Sequence, residues 1–270
     1  MYSGLEIPRS LPEGDALLPQ VRHAIAIASA KGGVGKSTVS VNLALVLAGR
    51  GAKVGLLDAD IYGPSLPLLM GVRRQPDMNI NGKMLPIVKH GVALMSIGFI
   101  AGGDAPVIWR GPLLAQALQR FLGQVEWGEL DYLLIDMPPG TGDIPLTLSQ
   151  TVALSGALIV TTPHKVALED VERGIAMFNK VEVDFLGMVE NMGYYKCPHC
   201  DKQHALFGAH GGEDMARRLG LEFFASLPLE ADLGDTVPIA VAKPQSEAAA
   251  LFTTIADKLE AEIRRLAEED

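Results

Sequence analysis

The run SAKGGVGKST, residues 29–38, places Lys31 and Lys36 on either side of Gly32, Gly33 and Gly35 and follows the apolar stretch HAIAIASA. Glycines at this density let successive backbone N–H groups turn inward. The start of a helix adds positive potential, and the two together make a cradle for an anion. Lys36 is placed to reach the β and γ phosphates of a nucleotide, and the Ser37 hydroxyl to ligate Mg²⁺. The expected nucleotide-binding residues are therefore Gly32, Gly33, Val34, Gly35, Lys36, Ser37 and Thr38. A glycine-rich turn with no ligand would not require strand, loop and helix in this order. Carboxylates follow where a metal-bound phosphate needs them. Asp136 ends the apolar run YLLID and is read as an acid presented towards Mg²⁺. Asp58 and Asp60 close the run KVGLLDAD at the same expected rim, since ligands of open α/β sheets sit at the carboxyl ends of the strands. MPPGTGD, directly after Asp136, is a Pro- and Gly-rich loop able to change shape when a phosphate leaves.

The base is read as adenine. Asn179-Lys180-Val181-Glu182 approaches a guanine-reading NKxD but lacks its Asp and precedes a strand, so it is expected as a surface helix end. Asn191 follows DFLGMVE, where an amide can pair with an adenine edge. The chain has two cysteines, Cys197 and Cys200, both in CPHC. Two thiolates are half of what a [4Fe–4S] cluster or a structural zinc takes. The residues leave three readings open: a cluster bridging two copies of the chain, zinc with His199 or His204 recruited, or a redox dithiol. The dithiol is the weakest, because a thioredoxin-type CxxC opens a helix early in its fold. His23, His90, His164 and His210 have no ligand spacing.

These groups need elements to hold them. Strand-like runs (His23 to Ala30, KVGLLDAD, GVALMSI, DYLLID, ALIVTT, DFLGMVEN, LEFFASL) alternate with helical patterns such as Gly35 to Gly49, LLAQALQRFLGQV and ALEDVERGIAMFNKV. The alternation predicts an α/β fold with a mostly parallel sheet and helices on both faces. Val46, Leu43 and Leu47 are expected on the apolar side of the first helix, and Asn81-Gly82 signals a hairpin. Residues 1–20 read as a flexible lead-in. Residues 21–270 read as one domain with an insertion near 193–207 carrying the CxxC. From Ser246 to Leu266, Phe252, Ile255, Leu259, Ile263 and Leu266 recur at helical spacing. The acidic opposite face favours docking on the sheet over a membrane surface.

The composition narrows the function. The chain has 270 residues, 48% hydrophobic, with a net charge of -9. That charge argues against a general nucleic-acid binder. No apolar run is long enough to span a bilayer, and no signal peptide is evident, so a cytoplasmic protein without membrane or nucleic-acid partners is expected.

KGGVGKST with its leading lysine resembles the deviant Walker A P-loop ATPases, the group of MinD, ParA, ArsA and the nitrogenase iron protein. DADIYGPS, WRGPLL, DYLLIDMPPGTGD, VENMGYYKCPHC and LFGAHGGE together resemble the narrower Mrp/ApbC iron–sulfur cluster carriers, over nearly the whole chain from His23. The resemblance implies a homodimeric ATPase that uses ATP and Mg²⁺, holds a [4Fe–4S] cluster between two subunits on Cys197 and Cys200, and passes it to apo iron–sulfur proteins. It implies that Lys31 crosses to the partner's phosphates, that Asp60 orients the attacking water, and that Asp58 lies near the Mg²⁺ shell. It also reverses the order in which a lone CxxC would favour zinc. The alternative is a MinD- or ParA-like switch for spatial organisation with zinc at the CxxC. The sequence departs from the family pattern at Ala30, where a glycine is frequent, so Ala30 is expected to keep a negative φ. It departs also at Met192-Gly193, where Met-Ser is common, and at Pro145.

Overall fold

In the computed structural model the structure describes residues 18–60, 63–99, 122–140, 142, 146–148, 151–229 and 237–269. Pro145, Trp109 to Pro112, most of LLAQALQRFLGQV and all but three residues of the lead-in lie outside them. The strands are β1 (Val21–Ala28), β2 (Val54–Asp58), β3 (Ile87–Lys89), β4 (Val92–Ser96), β5 (Leu130–Asp136), β6 (Gly156–Thr161), β7 (Phe185–Lys196), β8 (Gln203–His204) and β9 (Phe223–Pro228). The sheet runs β3-β4-β2-β5-β1-β6-β7, with β9 also pairing to β7. The pairs from β4 across to β9 are parallel, and only the edge strand β3 and the short β8 run antiparallel. The mostly parallel sheet expected from the alternation is thus present.

The helices are α1 (Lys36–Gly49), α2 (Leu66–Leu69), α3 (Lys165–Asn179), α4 (Gly211–Leu219), α5 (Ile239–Ala242) and α6 (Glu247–Glu269). From β1 the chain crosses towards β2, and from β6 towards β7 on the opposite side. Right-handed crossovers in opposite directions put their helices on opposite faces. Accordingly α1 packs against α5 and α6, and α3 packs against α4. The sheet reverses its winding beside β1, the switch point at which such sheets bind ligands.

The boundaries moved slightly. β1 begins at Val21 and ends at Ala28, before the glycine loop. The helix expected from Gly35 starts at Lys36, with Gly35 as a left-handed cap at φ 82°. That helix is not one-sided. Lys36, Val39, Ser40, Val41, Asn42, Leu43, Ala44, Leu45 and Leu47 are all buried, while Val46 is only half-buried. An apolar surface all round is what a helix wedged between a sheet and further helices needs. α6 docks as expected, burying Phe252, Ile255, Leu259 and Ile263. Arg50 at the end of α1 holds it through Asp257 (2.8 Å) and Glu260 (3.4 Å). Asn179 and Lys180 are exposed at the end of α3, so NKVE is the surface helix end that was expected. Gly82 turns at φ +74° inside a loop closed by an antiparallel bridge between Met78 and Met84.

Candidate functional site

β1 delivers the chain to Ser29, and the glycine loop then climbs to the first turn of α1. Gly33 and Gly35 both sit at φ 82°, a left-handed conformation that side chains disfavour. Ala30 is not among the residues with positive φ, so the methyl is accommodated as expected. The MPPG loop lies against the cradle: the Gly140 N–H donates to the Ser29 carbonyl (2.9 Å). A Cβ at Gly32 would touch Pro139 at 3.9 Å.

Asp136 is the centre of the polar network. It lies at the carboxyl end of β5, has no exposed side-chain surface, and pairs with the Lys36 ammonium at 2.7 Å. Ser37 Oγ donates to its other oxygen at 2.5 Å, and Ser40 Oγ donates at 2.8 Å. A buried carboxylate is tolerable only with such compensation. The structure therefore brings together Lys36, Ser37 and Asp136, the groups read as phosphate- and metal-side. Asp58 lies beside Asp136 across the β2–β5 pair. Its carboxylate accepts from the N–H groups of Asp60 and Leu66 (3.1 Å each) and from Ser96 Oγ (3.0 Å). Burial first, and the Asp136 charge second, push its pKa up to about 7. Asp60 sits half-buried on the rim, its carboxylate accepting from the Gly63 N–H at 3.2 Å.

Lys31 does not point into its own cradle. Its ammonium pairs with Asp170 of α3 at 2.9 Å and remains 38% exposed. Asn191 lies against the cradle, and its Nδ2 donates to the Val34 carbonyl at 2.9 Å. The amide thus braces the phosphate loop. Sequence reasoning missed Asn42, a buried amide of α1 that donates to the Thr38 carbonyl (2.8 Å) and accepts from the Ala240 N–H (2.9 Å). It missed Glu190 as well, which is only 2% exposed. The signals were there: an amide in the mostly apolar middle of a helix, and an acid directly after the apolar run FLGMV.

Beyond Asn191, β7 continues as an arm that carries the cysteines. The arm turns back at CPHC, closed by the Cys197 N–H donating to the Lys202 carbonyl and the Asp201 N–H to the Cys197 carbonyl, both 2.9 Å. The backbone N–H groups of His199 and Cys200, then the Cys200 side chain, hold the Cys197 thiol below its ordinary range. N–H groups directed at sulfur favour thiolate, the ligand form for soft metals. Cys197 is half-buried and Cys200 exposed. Among the described residues no group of three or more His, Cys, Asp or Glu side chains is placed to hold a metal ion, so His199 and His204 do not complete a set with the cysteines.

A glycine cradle at the switch point of a parallel sheet, with buried Lys, Ser and Asp around it, defines a P-loop nucleotide-binding protein. The fold is that of the MinD/ParA ATPases: MinD from Pyrococcus furiosus superposes with a TM-score of 0.63 at 23% identity, over 89% of this chain and 99% of that one. The chain belongs to the family described as "ParA: NUBPL iron-transfer P-loop NTPase", which matches residues 20–260. It is 46% identical over 248 residues to the iron-sulfur cluster carrier protein of Escherichia coli K12, covering 90% of this chain and 67% of that protein. It is 45% identical over 253 residues to the Arabidopsis thaliana iron-sulfur protein required for NADH dehydrogenase, mitochondrial, covering 92% and 81%. A nucleotide-binding protein from Archaeoglobus fulgidus, solved in complex with ADP, superposes with a TM-score of 0.71 at 38% identity over 91% of this chain and 89% of that one. The expected resemblance to iron–sulfur carriers within the deviant Walker A group is borne out.

Proposed function

We propose that the chain binds and hydrolyses ATP with Mg²⁺ at residues 32–38, and that two copies together hold a [4Fe–4S] cluster as cargo for apo-proteins. The observation that carries the reading is the CPHC turn: two thiols on one arm, one favoured as thiolate, rooted six residues past the amide that braces the phosphate loop. One chain offers two thiols and a [4Fe–4S] cluster takes four ligands, so a second copy supplies the rest. The names of the E. coli and Arabidopsis relatives support iron–sulfur carriage, and the ADP complex of the Archaeoglobus relative supports nucleotide binding.

In this reading the β and γ phosphates draw Lys36 from Asp136, and Ser37 and Asp136 are freed to meet Mg²⁺ directly or through its waters. Asp58, behind Asp136, takes part in that shell as an anion or as a proton donor according to pH. Asp60 on the rim orients the attacking water. Asn191 reads the adenine while its amino group keeps the loop in register. Lys31 leaves Asp170 to reach the partner's phosphates, which would tie hydrolysis to assembly. No helix among the described residues is long and apolar enough to cross a membrane. We place the working protein in the cytoplasm, with apo iron–sulfur proteins as its partners.

The test is anaerobic reconstitution with iron and sulfide, with metal analysis and Mössbauer spectra. About four irons and four sulfides per dimer, lost in Cys197→Ala/Cys200→Ala, is the expected result. Stoichiometric zinc with no stable iron overturns the carrier reading and leaves an ATPase switch with a structural metal.

A further inference from the structure

Between Glu190 and Tyr194 the β7–β9 register slips: Glu190 pairs with Ser226, and Tyr194 with Pro228. Four steps on β7 match two on β9, so Asn191, Met192 and Gly193 form a bulge, with Met192 left-handed at φ 58°. Bulges re-aim side chains and bend strands beside functional sites. This one turns the Asn191 amide onto Val34 and redirects the strand that becomes the cysteine arm. Below the bulge, the buried Glu190 carboxylate spans three elements. One oxygen accepts from Ser226 Oγ of β9 at 2.7 Å. The other accepts from the Gly212 N–H, in the first turn of α4, at 2.6 Å. An acid is well placed there, because a helix N-terminus offers unpaired N–H groups and positive potential. The arm leaves from β7 and returns into α4, so Glu190 fastens both roots of the CPHC excursion.

The packing leaves this joint no slack. A Cβ on Gly35 would lie 2.1 Å from Asn191 Nδ2, on Gly193 1.9 Å from Ser226 Oγ, and on Gly212 2.9 Å from Glu190 Cβ. Three glycines close on the side chains of Asn191, Ser226 and Glu190.

We infer that Glu190 is a positioning residue that ties the cysteine arm to the phosphate loop: its carboxylate pins both roots of the arm while its neighbour Asn191 holds the loop, so a shift of the loop on nucleotide binding re-aims Cys197 and Cys200. This rests on the nucleotide and thiol sites proposed above, but not on any cluster being bound. Coupling free energies between sites commonly amount to about five-fold or more in an equilibrium.

The full chain, metal-free and reduced, is alkylated with iodoacetamide in the presence of Mg-ATP, Mg-ADP or no nucleotide, and the rates at Cys197 and Cys200 are read by peptide mass spectrometry. In the wild type the rate at one or both thiols should change about five-fold with nucleotide. Glu190→Ala should keep ATP binding and lose that dependence. Glu190→Gln should retain it, since an amide can accept from Gly212 and donate to a reversed Ser226 hydroxyl. Should Glu190→Ala not fold, Ser226→Ala removes one of the two fastenings and should shrink the dependence. Nucleotide-independent rates in the wild type, or an undiminished dependence in Glu190→Ala and Ser226→Ala, overturn the inference. A wild type that assembles a cluster yet shows no dependence loses the joint and keeps the carrier reading. One that shows the dependence but assembles no cluster does the reverse.

Discussion

Gly193, expected from the sequence as a departure from a common Met-Ser, leaves little room for a side chain. A Cβ built there would lie 1.9 Å from Ser226 Oγ and 2.8 Å from Glu190 Oε1. The Ser226 hydroxyl occupies the room that a side chain at 193 would take, and it supplies the hydrogen bond to Glu190. Gly193→Ser alone must displace Ser226. Overpacking of this kind costs about 1–3 kcal/mol, and loss of a hydrogen bond to a charged group about 1.5–3 kcal/mol, so a destabilisation of roughly 2.5–6 kcal/mol is expected. Ser226→Ala alone should cost about 1.5–3 kcal/mol through the Glu190 bond. In the double variant the hydroxyl introduced at position 193 can serve Glu190, and the closest contact is gone. The two costs should then fall short of additivity by about 2 kcal/mol or more, which lies within the range of coupling for residues in contact. Urea unfolding of the four proteins, followed by far-UV circular dichroism, completes the cycle. A neutral Gly193→Ser, or strictly additive costs, refutes the reasoning.

Lys36→Ala leaves Asp136 buried without its cation and should cost about 3–5 kcal/mol, much of it regained with Asp136→Asn; equal urea midpoints for single variant and wild type would count against the buried pair. Asp58 ordinarily ionises at 3.8 but at about 7 here, so its contribution to stability is full below pH 3.8 and is lost as pH rises through 7. The whole effect is up to roughly 4 kcal/mol, and Asp58→Asn should flatten the fall in the urea midpoint from about pH 4 to pH 7, whereas parallel profiles refute the assignment. Asp170→Ala frees Lys31 from a half-exposed ion pair worth at most about 1 kcal/mol, so association of the proposed Mg-ATP homodimer should tighten by up to about five-fold in sedimentation equilibrium; weakened association, or none, would refute the role given to Asp170.

The parallel sheet, the cradle and the acids at its rim were legible because each depends on short-range pattern: a strand's apolar run, the glycines after it, an acid at a strand end. The hairpin at Asn81-Gly82 and the docked C-terminal helix were legible for the same reason. The partner of Lys31 was not, since Asp170 lies on a helix far along the chain and nothing near Lys31 points to it. Asn191 could be placed at a strand end, but its aim depends on a register slip against β9 that no local pattern shows. Glu190 could be seen as an acid after an apolar run, but its partners, Gly212 and Ser226, lie far along the chain and could not. The first helix was expected to show one apolar side, because one window cannot reveal that α6 covers the other.

The burial of α1 on nearly every side has a mechanical consequence. Wedged between sheet and α6, clamped by Arg50 at one end and by Asn42 to Ala240 along its length, the helix behind the phosphates is a fixed anvil. A load applied at the phosphates has nowhere to go through it. What yields when a phosphate arrives or departs must lie in front: in the phosphate loop held by Asn191, in the Met137–Gly140 loop braced on Ser29 and in the bent end of β7. On the proposed coupling, work done at the nucleotide would then pass outward along the rim, towards the thiols.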